Sequence, residues 1–254
     1  EACRGETNEA GPFPRFFRFI DEAIRSPGGA TFPAVIADWV EGQRLDEYLA
    51  ERCRQGERDS LRRAFNHWLN LLEQLKETGL THGQLHPRHV IVTSSGEWRL
   101  VDYDASCVPG LEHRASAGIS MLPSPAQHPH SPSHVVFTPR LDTFPAVYFL
   151  AILAALTDDP ERLSRYAPRD VPSYLLISGR DLKCPQASPL IRDLWAGRNE
   201  LLVDLTNRLS HLFESDFENL PTLADLWPWL STLRFADESQ TDPTKRAAPA
   251  SGPR

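Results

Sequence analysis

The segment from Thr81 to Asp104 constrains the fold of this chain more than any other part of the sequence. Residues 81–92 are Thr-His-Gly-Gln-Leu-His-Pro-Arg-His-Val-Ile-Val, and residues 98–104 are Trp-Arg-Leu-Val-Asp-Tyr-Asp. The first run predicts a loop that leads into a strand, and the second predicts a strand that ends in an acid. Residues 94–96 (Ser-Ser-Gly) are typical of a tight turn. When this hairpin closes, the acidic strand end lies beside the loop, so the two segments form one site.

This order of residues resembles the catalytic loop and the metal-binding segment of protein kinases. In that family a His-Arg-Asp or His-Gly-Asp triplet leads to a proline and an asparagine, and an Asp-Phe-Gly segment follows. Residues 82–84 (His-Gly-Gln) stand at the triplet, His89 at the asparagine, and residues 102–104 (Asp-Tyr-Asp) at the Asp-Phe-Gly segment. The resemblance implies a kinase-like site in which Gln84 replaces the proton-accepting aspartate and His89 replaces a metal ligand.

Residues 32–42, which precede this site, are Phe-Pro-Ala-Val-Ile-Ala-Asp-Trp-Val-Glu-Gly. They predict a buried strand that ends at the glycine, and a short helix begins at Leu45. By resemblance, these segments are the last strand of a kinase N-lobe, the hinge and the first helix of the C-lobe. The hinge of kinases receives the adenine ring of ATP, and its counterpart here would be Asp38, Trp39 and Val40.

Several later segments have the periodicity or the caps of helices. Apolar residues at helical spacing in residues 61–75, followed by Gly79, predict a long amphipathic helix that leads directly to the loop. Residues 144–156 are apolar nearly all round and predict a buried central helix. Residues 188–189 (Ser-Pro) predict an N-cap and a first-turn proline with two helices to follow, and residues 221–233 predict a last short helix.

The sequence before residue 42 lacks the phosphate-binding parts of a kinase N-lobe. It has no Gly-x-Gly-x-x-Gly run and no Val-Ala-x-Lys strand, and no lysine precedes Lys76. Residues 13–24 predict a strand with its turn or a short helix, so the N-lobe is either truncated or reduced. We expect an α+β protein with a protein-kinase-like fold. Its parts would be an incomplete N-lobe with the hinge (residues 1–41), a mostly α-helical C-lobe (residues 42–235) and a disordered tail (residues 236–254).

Two further motifs resemble those of a bacterial Ser/Thr protein-kinase-like subfamily. They are residues 127–129 (Gln-His-Pro) and residues 139–145 (Pro-Arg-Leu-Asp-Thr-Phe-Pro), although Ala126 stands where that subfamily carries a tyrosine. By resemblance, Asp142 caps the backbone of the loop and does no chemistry. His82 is likewise, by resemblance, mainly a packing and hydrogen-bonding residue.

Gln84 and His89 predict a catalytically impaired protein, a pseudokinase. An amide cannot take the proton of a substrate hydroxyl, and loss of a general base costs roughly two to four powers of ten in rate. A neutral imidazole is also a poor ligand for magnesium. The alternative is a residually active Ser/Thr or small-molecule phosphotransferase that binds ATP and magnesium. It would use Asp102, with Asp104, as metal ligands and His86 or another group as the base.

Two other kinds of site are weaker interpretations. The three histidines of residues 82–89 have a spacing that suggests zinc on a helix, but Pro87 interrupts any such helix. The three histidines of residues 128–134 lie in Pro/Ser-rich sequence, where we expect solvated side chains rather than a metal cluster. No Gly-x-Ser-x-Gly run is present, which argues against a serine hydrolase.

Composition limits the partners. The formal net charge is −7, which argues against a broad nucleic-acid-binding surface, and no apolar run is long enough to cross a membrane. The four cysteines are far apart, and residues 1–4 (Glu-Ala-Cys-Arg) do not begin a secretory signal, so we expect a reducing cytoplasm. The resemblance implies a signalling scaffold for protein partners, such as a kinase or a phosphatase.

Overall fold

The computed structural model describes residues 17–107, 126–130, 138–167 and 176–235. The protein is of the mixed α+β class, as predicted, and its sheets are small and antiparallel. The strands are β1 (Phe17–Arg25), β2 (Thr31–Ala37), β3 (Gln43–Arg44), β4 (Val90–Val92) and β5 (Trp98–Leu100). The helices are α1 (Leu45–Gln55), α2 (Arg58–Thr78), α3 (Thr143–Asp158), α4 (Arg162–Tyr166), α5 (Gly179–Lys183), α6 (Pro189–Ala196), α7 (Glu200–Glu214) and α8 (Leu223–Leu230).

Strands β1 and β2 form a two-stranded antiparallel hairpin. Phe19 pairs with Val35, and an irregularity between Ile20 and Ile24 includes Glu22, whose φ is +51°. The alternative of a short helix in this region is therefore wrong for its described part, and residues 13–16 lie outside the described residues.

The expected burial of residues 32–42 is wrong. Strand β2 ends at Ala37, and the side chains of Phe32, Val35 and Ile36 are 52%, 62% and 42% exposed. An apolar run predicts burial only if a second layer packs on the strand. A hairpin of two strands has two faces and no further strands, so its own pairing cannot cover these side chains.

Helices α2 and α3 form the centre of the helical part. Every residue of α3 except Asp158 is buried, which confirms the predicted central helix. The apolar stripe of α2 packs on α3 through Trp68. Its Nε1 donates a hydrogen bond to the Ala146 carbonyl at 3.2 Å. Its ring also makes an edge-to-face contact with Phe149, with centroids 5.3 Å apart. Helix α2 ends at Gly79, in the left-handed conformation that the sequence predicted for this C-cap.

The second sheet has the strand order β3-β4-β5. The turn at residues 94–96 joins β4 to β5, with Gly96 at a φ of +83°, which confirms the predicted hairpin. Strand β3 pairs with the other edge of β4, and Gly42 immediately before it lies so close that a Cβ atom there would be 2.4 Å from the Val92 carbonyl oxygen. The chain that enters α1 is therefore held against this hairpin.

The C-terminal helices begin where their caps predict. The Ser188 hydroxyl accepts a hydrogen bond from the Ile191 N–H at 3.1 Å, and Pro189 is the first residue of α6. Helix α8 begins after a capping box formed by Thr222 and Asp225. Within the described chain, no helix combines the length and the apolar character that a membrane span requires. The division into lobes remains a prediction, and residues 236–254 lie outside the described part.

Candidate functional site

The carboxylate of Asp142 joins the start of α3 to the loop at residues 82–83. Its Oδ2 accepts a hydrogen bond from the His82 N–H at 2.5 Å, and its Oδ1 accepts one from the Gly83 N–H at 2.9 Å. Burial raises the pKa of the Asp142 carboxyl to about 7, while the two hydrogen bonds act in the opposite direction. Asp142 therefore fixes the loop backbone and, with both oxygens engaged and only 1% exposure, does not face a substrate.

The loop also packs against the segment that follows β5. Thr81 and Cys107 exchange two backbone hydrogen bonds, at 3.0 and 2.7 Å. Gly83 has a φ of +78°, and a Cβ atom there would lie 2.3 Å from the Ala105 carbonyl oxygen. The loop conformation therefore requires glycine at this position, both for its backbone angle and for the close approach of residue 105.

His82 is a positioning residue. Its ring is fully buried, and Nε2 donates a hydrogen bond to the Val101 carbonyl oxygen at 3.0 Å. Burial lowers the pKa of His82 to about 4, so the ring is neutral at physiological pH. The edge of the ring meets Tyr103 with centroids 5.3 Å apart. His82 thus holds the loop to the end of β5 and is placed for packing rather than for proton transfer.

His89 and Asp102 form an ion pair across the site. The Nε2 atom of His89 is 3.1 Å from Oδ2 of Asp102, and its Nδ1 atom is 2.8 Å from the Gln84 carbonyl oxygen. Each ring nitrogen of His89 therefore lies within hydrogen-bond distance of an oxygen atom, one on the loop backbone and one on Asp102. Asp102 adopts a φ of +66°, a left-handed conformation that is uncommon outside glycine.

His86 cannot act as a general base without a rearrangement of the loop. Its Nδ1 accepts a hydrogen bond from the Arg88 N–H at 3.0 Å, so the proton of the neutral ring is on Nε2. Burial lowers the pKa of His86 to about 4. The one lone pair of the ring is therefore engaged in the loop itself. Gln84 supplies only an amide side chain, which has no basic lone pair.

A magnesium ion at Asp102 would require His89 to move away from its carboxylate. Magnesium requires a nearly octahedral set of oxygen ligands. Asp102 is engaged by His89, and among residues 17–107, 126–130, 138–167 and 176–235 no three His, Cys, Asp or Glu side chains are placed to hold a metal. Asp104 is exposed and joins no such group. The loop histidines are likewise not part of any group of three side chains placed to hold a metal among the described residues.

The expectation of solvated histidines after residue 125 is wrong for His128. This side chain is 4% exposed, and its Nε2 is 2.9 Å from the Leu212 carbonyl oxygen of α7. It packs on Phe144 with ring centroids 5.5 Å apart. His128 therefore ties its segment to the helical core, and its Nδ1 receives the His130 N–H at 3.2 Å. His134 lies outside the described residues.

The segment expected to act as a hinge lies at the surface. Asp38 and Trp39 are exposed, Trp39 by 88%, and Val40 is half-buried. Residues 38–40 belong to no strand or helix, and they follow directly on β2.

Sequence reasoning missed Asp46, a buried carboxylate in the first turn of α1. Its Oδ1 is 3.1 Å from Nε of Arg44, and its Oδ2 is 3.3 Å from Nε of Arg88. This bridge joins α1 to the short 3-10 turn Pro87–His89 of the loop. The acidic first turn was visible in the sequence, but nothing in it indicated a partner 42 residues away.

The site is thus a loop held by Asp142, Asp46 and the β4–β5 hairpin, with His89 and Asp102 paired at its centre. Comparison with known proteins found no protein-family model and no curated protein sequence that matches the chain. Function is therefore inferred from the geometry of the chain itself.

Proposed function

We propose that this chain is a pseudokinase, a catalytically impaired protein-kinase-like protein that acts as a cytoplasmic binding and regulatory module in bacterial signalling. Its helical part would correspond to a kinase C-lobe, and the β1–β2 hairpin to a reduced N-lobe. The order of hinge segment, long helix, loop and acid-ended hairpin supports this proposal. So does the contact of Asp142 with the backbone of His82 and Gly83.

The ion pair between His89 and Asp102 carries the proposal. In a kinase, the residues at these two positions hold the magnesium ions that neutralise the phosphates. Here the group beside Asp102 is the imidazole of His89 in the same loop, 3.1 Å away. With Gln84 at the position of the base, the loop keeps an ordered backbone without the groups that phosphoryl transfer requires.

The exposed hairpin supports binding to a protein partner, such as a kinase or a phosphatase. Phe19, Phe32, Val35 and Trp39 are each more than half exposed on it or directly after it. Phe19 and Val35 pair across the two strands and therefore lie side by side, and adjoining exposed apolar side chains commonly mark interaction surfaces. A scaffold function needs such a surface and does not need an intact catalytic loop.

The second candidate, a phosphotransferase that uses ATP and magnesium through Asp102 and Asp104, has no specific observation in its favour. The same holds for a small-molecule kinase relative, since it too would need a base where Gln84 stands. Either enzyme requires His89 to leave Asp102 before a metal ion enters.

Thermal unfolding with ATP or ADP, each with and without magnesium or manganese, tests the proposal. A ligand at one hundred times its dissociation constant stabilises a protein by about 2.7 kcal/mol, which is readily measured. We expect no metal-dependent stabilisation and no transfer of the γ-phosphate. The matched comparison is Asp102→Ala. A metal-dependent shift in the unmodified chain that Asp102→Ala abolishes would refute the proposal and favour the phosphotransferase.

A further inference from the structure

One face of the β1–β2 hairpin carries a row of apolar side chains. Residues that are two or four positions apart on a strand point to the same side of a sheet, so Phe32, Ala34 and Ile36 share a face. Ile24 pairs with Phe32, and Ile20 pairs with Ala34, which places both isoleucines on this face as well. Ile24, Phe32 and Ile36 are each between 42% and 57% exposed. We call this row the Phe32 face.

The hairpin exposes a large apolar area for its size. An aromatic side chain presents about 150–250 Å², so Phe19 (67% exposed) and Phe32 (52% exposed) together leave roughly 240 Å² uncovered. The exposed side chains of Ile24, Val35 and Ile36 add to this area. A two-stranded hairpin is only marginally stable by itself in water and becomes more stable when another layer covers it. The Phe32 face therefore favours contact with a second apolar surface.

The edges of the hairpin are poorly suited to the addition of a further strand. Strand β1 is irregular between Ile20 and Ile24, where Glu22 has a φ of +51°. Strand β2 contains Pro33, which has no N–H group to donate. Bulges and prolines are features that protect sheet edges against strand addition. A partner is therefore expected to meet the hairpin through its faces rather than through its edges.

The apolar side chains of the Phe32 face complement those of a second copy. A symmetric dimer places the same patch of both copies against itself. When the two-fold axis crosses the strands at the paired residues Ile20 and Ala34, residues at equal distances on either side of these positions meet. Phe32 of one copy then meets Ile36 of the other. The small side chain of Ala34 between them leaves room for the phenyl ring.

The charges of the hairpin fit the same axis. Residues 18–37 carry two arginines and two acids, so the hairpin is neutral in a protein with a formal net charge of −7. Two copies of an acidic protein repel each other, and a neutral surface is where they approach with the least repulsion. About the axis at Ile20, Arg18 of one copy lies opposite Glu22 of the other, which gives two ion pairs in a dimer. Asp38, the next charged residue of the chain, lies beyond the end of β2.

We propose that the Phe32 face is the interface of a symmetric dimer of this chain, with its two-fold axis at Ile20 and Ala34. This inference rests on the proposed function, because it names a second copy as one protein partner of the hairpin. The opposite face, with Phe19 and Val35, stays open to a different protein. A stable interface takes about 800 Å² from each partner, and one face of two strands offers less. The dimer is therefore weak and forms reversibly as the protein concentration rises.

Sedimentation equilibrium of the full chain, with a reducing agent present, tests the dimer. We expect the apparent mass to rise from that of one chain toward that of two across micromolar concentrations. Phe32→Ala should weaken association by about 10- to 100-fold, because each dimer loses two phenyl rings from its interface. The matched control is Phe19→Ala, which removes the same side chain from the opposite face. It should leave association unchanged.

Reversal of charge tests the position of the axis. Arg18→Glu places two acids opposite each other at both ends of the interface. It should weaken association by about fourfold, since each exposed ion pair changes such an equilibrium by a factor of about two and the dimer has two pairs. The double variant Arg18→Glu, Glu22→Arg restores both pairs in the opposite sense and should recover the association of the unmodified chain.

Three results would overturn the inference. The first is a chain that stays monomeric at every concentration, and the second is equal weakening by Phe32→Ala and Phe19→Ala. The third is a double variant that associates no better than Arg18→Glu alone. The proposed function fails by a different result, metal-dependent stabilisation by a nucleotide, which sedimentation does not measure.

Discussion

Replacement of Gly83 by alanine should destabilise the protein by more than the conformational cost of its left-handed backbone angle. An L-residue in the left-handed conformation costs roughly 1–2 kcal/mol. In addition, the new Cβ atom would lie 2.3 Å from the Ala105 carbonyl oxygen and 3.0 Å from its carbon. These are backbone atoms, so no side-chain rotation relieves the overlap. The loop must move, which weakens the 2.9 Å hydrogen bond from the Gly83 N–H to the buried Asp142 carboxylate.

Leaving a buried hydrogen-bonding group without its partner costs about 1–3 kcal/mol, so Gly83→Ala should lower the free energy of unfolding by about 2–5 kcal/mol in total. Gly56→Ala is the matched control. Gly56 has a φ of +68°, close to the +78° of Gly83, but a Cβ atom there would meet nothing within 4 Å. Its expected loss is therefore only the conformational cost of roughly 1–2 kcal/mol.

Equilibrium urea unfolding of the three proteins measures both losses, and the difference between the two variants isolates the contact with Ala105. Amide hydrogen exchange at His82 adds a local measurement, which should accelerate in Gly83→Ala and stay unchanged in Gly56→Ala. Equal losses of stability in the two variants would show that residue 105 does not confine the loop, and the reasoning about the loop would be wrong.

Three further predictions concern other parts of the chain. Burial lowers the pKa of His82 to about 4, below the ordinary 6.5. The neutral His82 ring therefore makes its full contribution to the free energy of unfolding above pH 6.5. The free energy of unfolding should fall by about 3 kcal/mol as the pH falls from 6.5 to 4. In His82→Asn, urea unfolding at the same pH values should not show this decrease. Arg162→Ala should cost about 3 kcal/mol in thermal unfolding, since the buried guanidinium pairs with two aspartates. Maleimide labelling followed by peptide mapping should modify exposed Cys184 and spare Cys53, since burial raises the pKa of the Cys53 thiol to about 12.

Features set by local sequence could be predicted. The apolar spacing of residues 61–75, the glycine at position 79 and the uniformly apolar residues 144–156 predict α2, its end and α3, since period and capping depend on neighbouring residues. The hairpin closed by residues 94–96 is similarly local. That Asp142 would contact the loop was expected from resemblance alone, since 60 residues separate it from His82.

Features set by distant partners could not be predicted. Residues 32–37 are apolar enough for a core strand, and only the surroundings of the hairpin decide that they are exposed. His128 sits in Pro/Ser-rich sequence, yet the Leu212 carbonyl of α7 gives it a buried partner. In the same way, the ion pair of His89 with Asp102 requires the register of the hairpin and the turn at Pro87–His89, neither of which a single sequence fixes in detail.

The hydrogen bonds between Asp142 and the loop affect how the chain folds during synthesis. The loop at residues 82–83 leaves the ribosome well before Asp142, which follows His82 by 60 residues. Until then its two N–H groups have only water as a partner. Closing a chain segment of this length carries an entropy cost that grows with the logarithm of its length, and such distant contacts form slowly. The nascent loop should therefore be protease-sensitive until α3 has been translated.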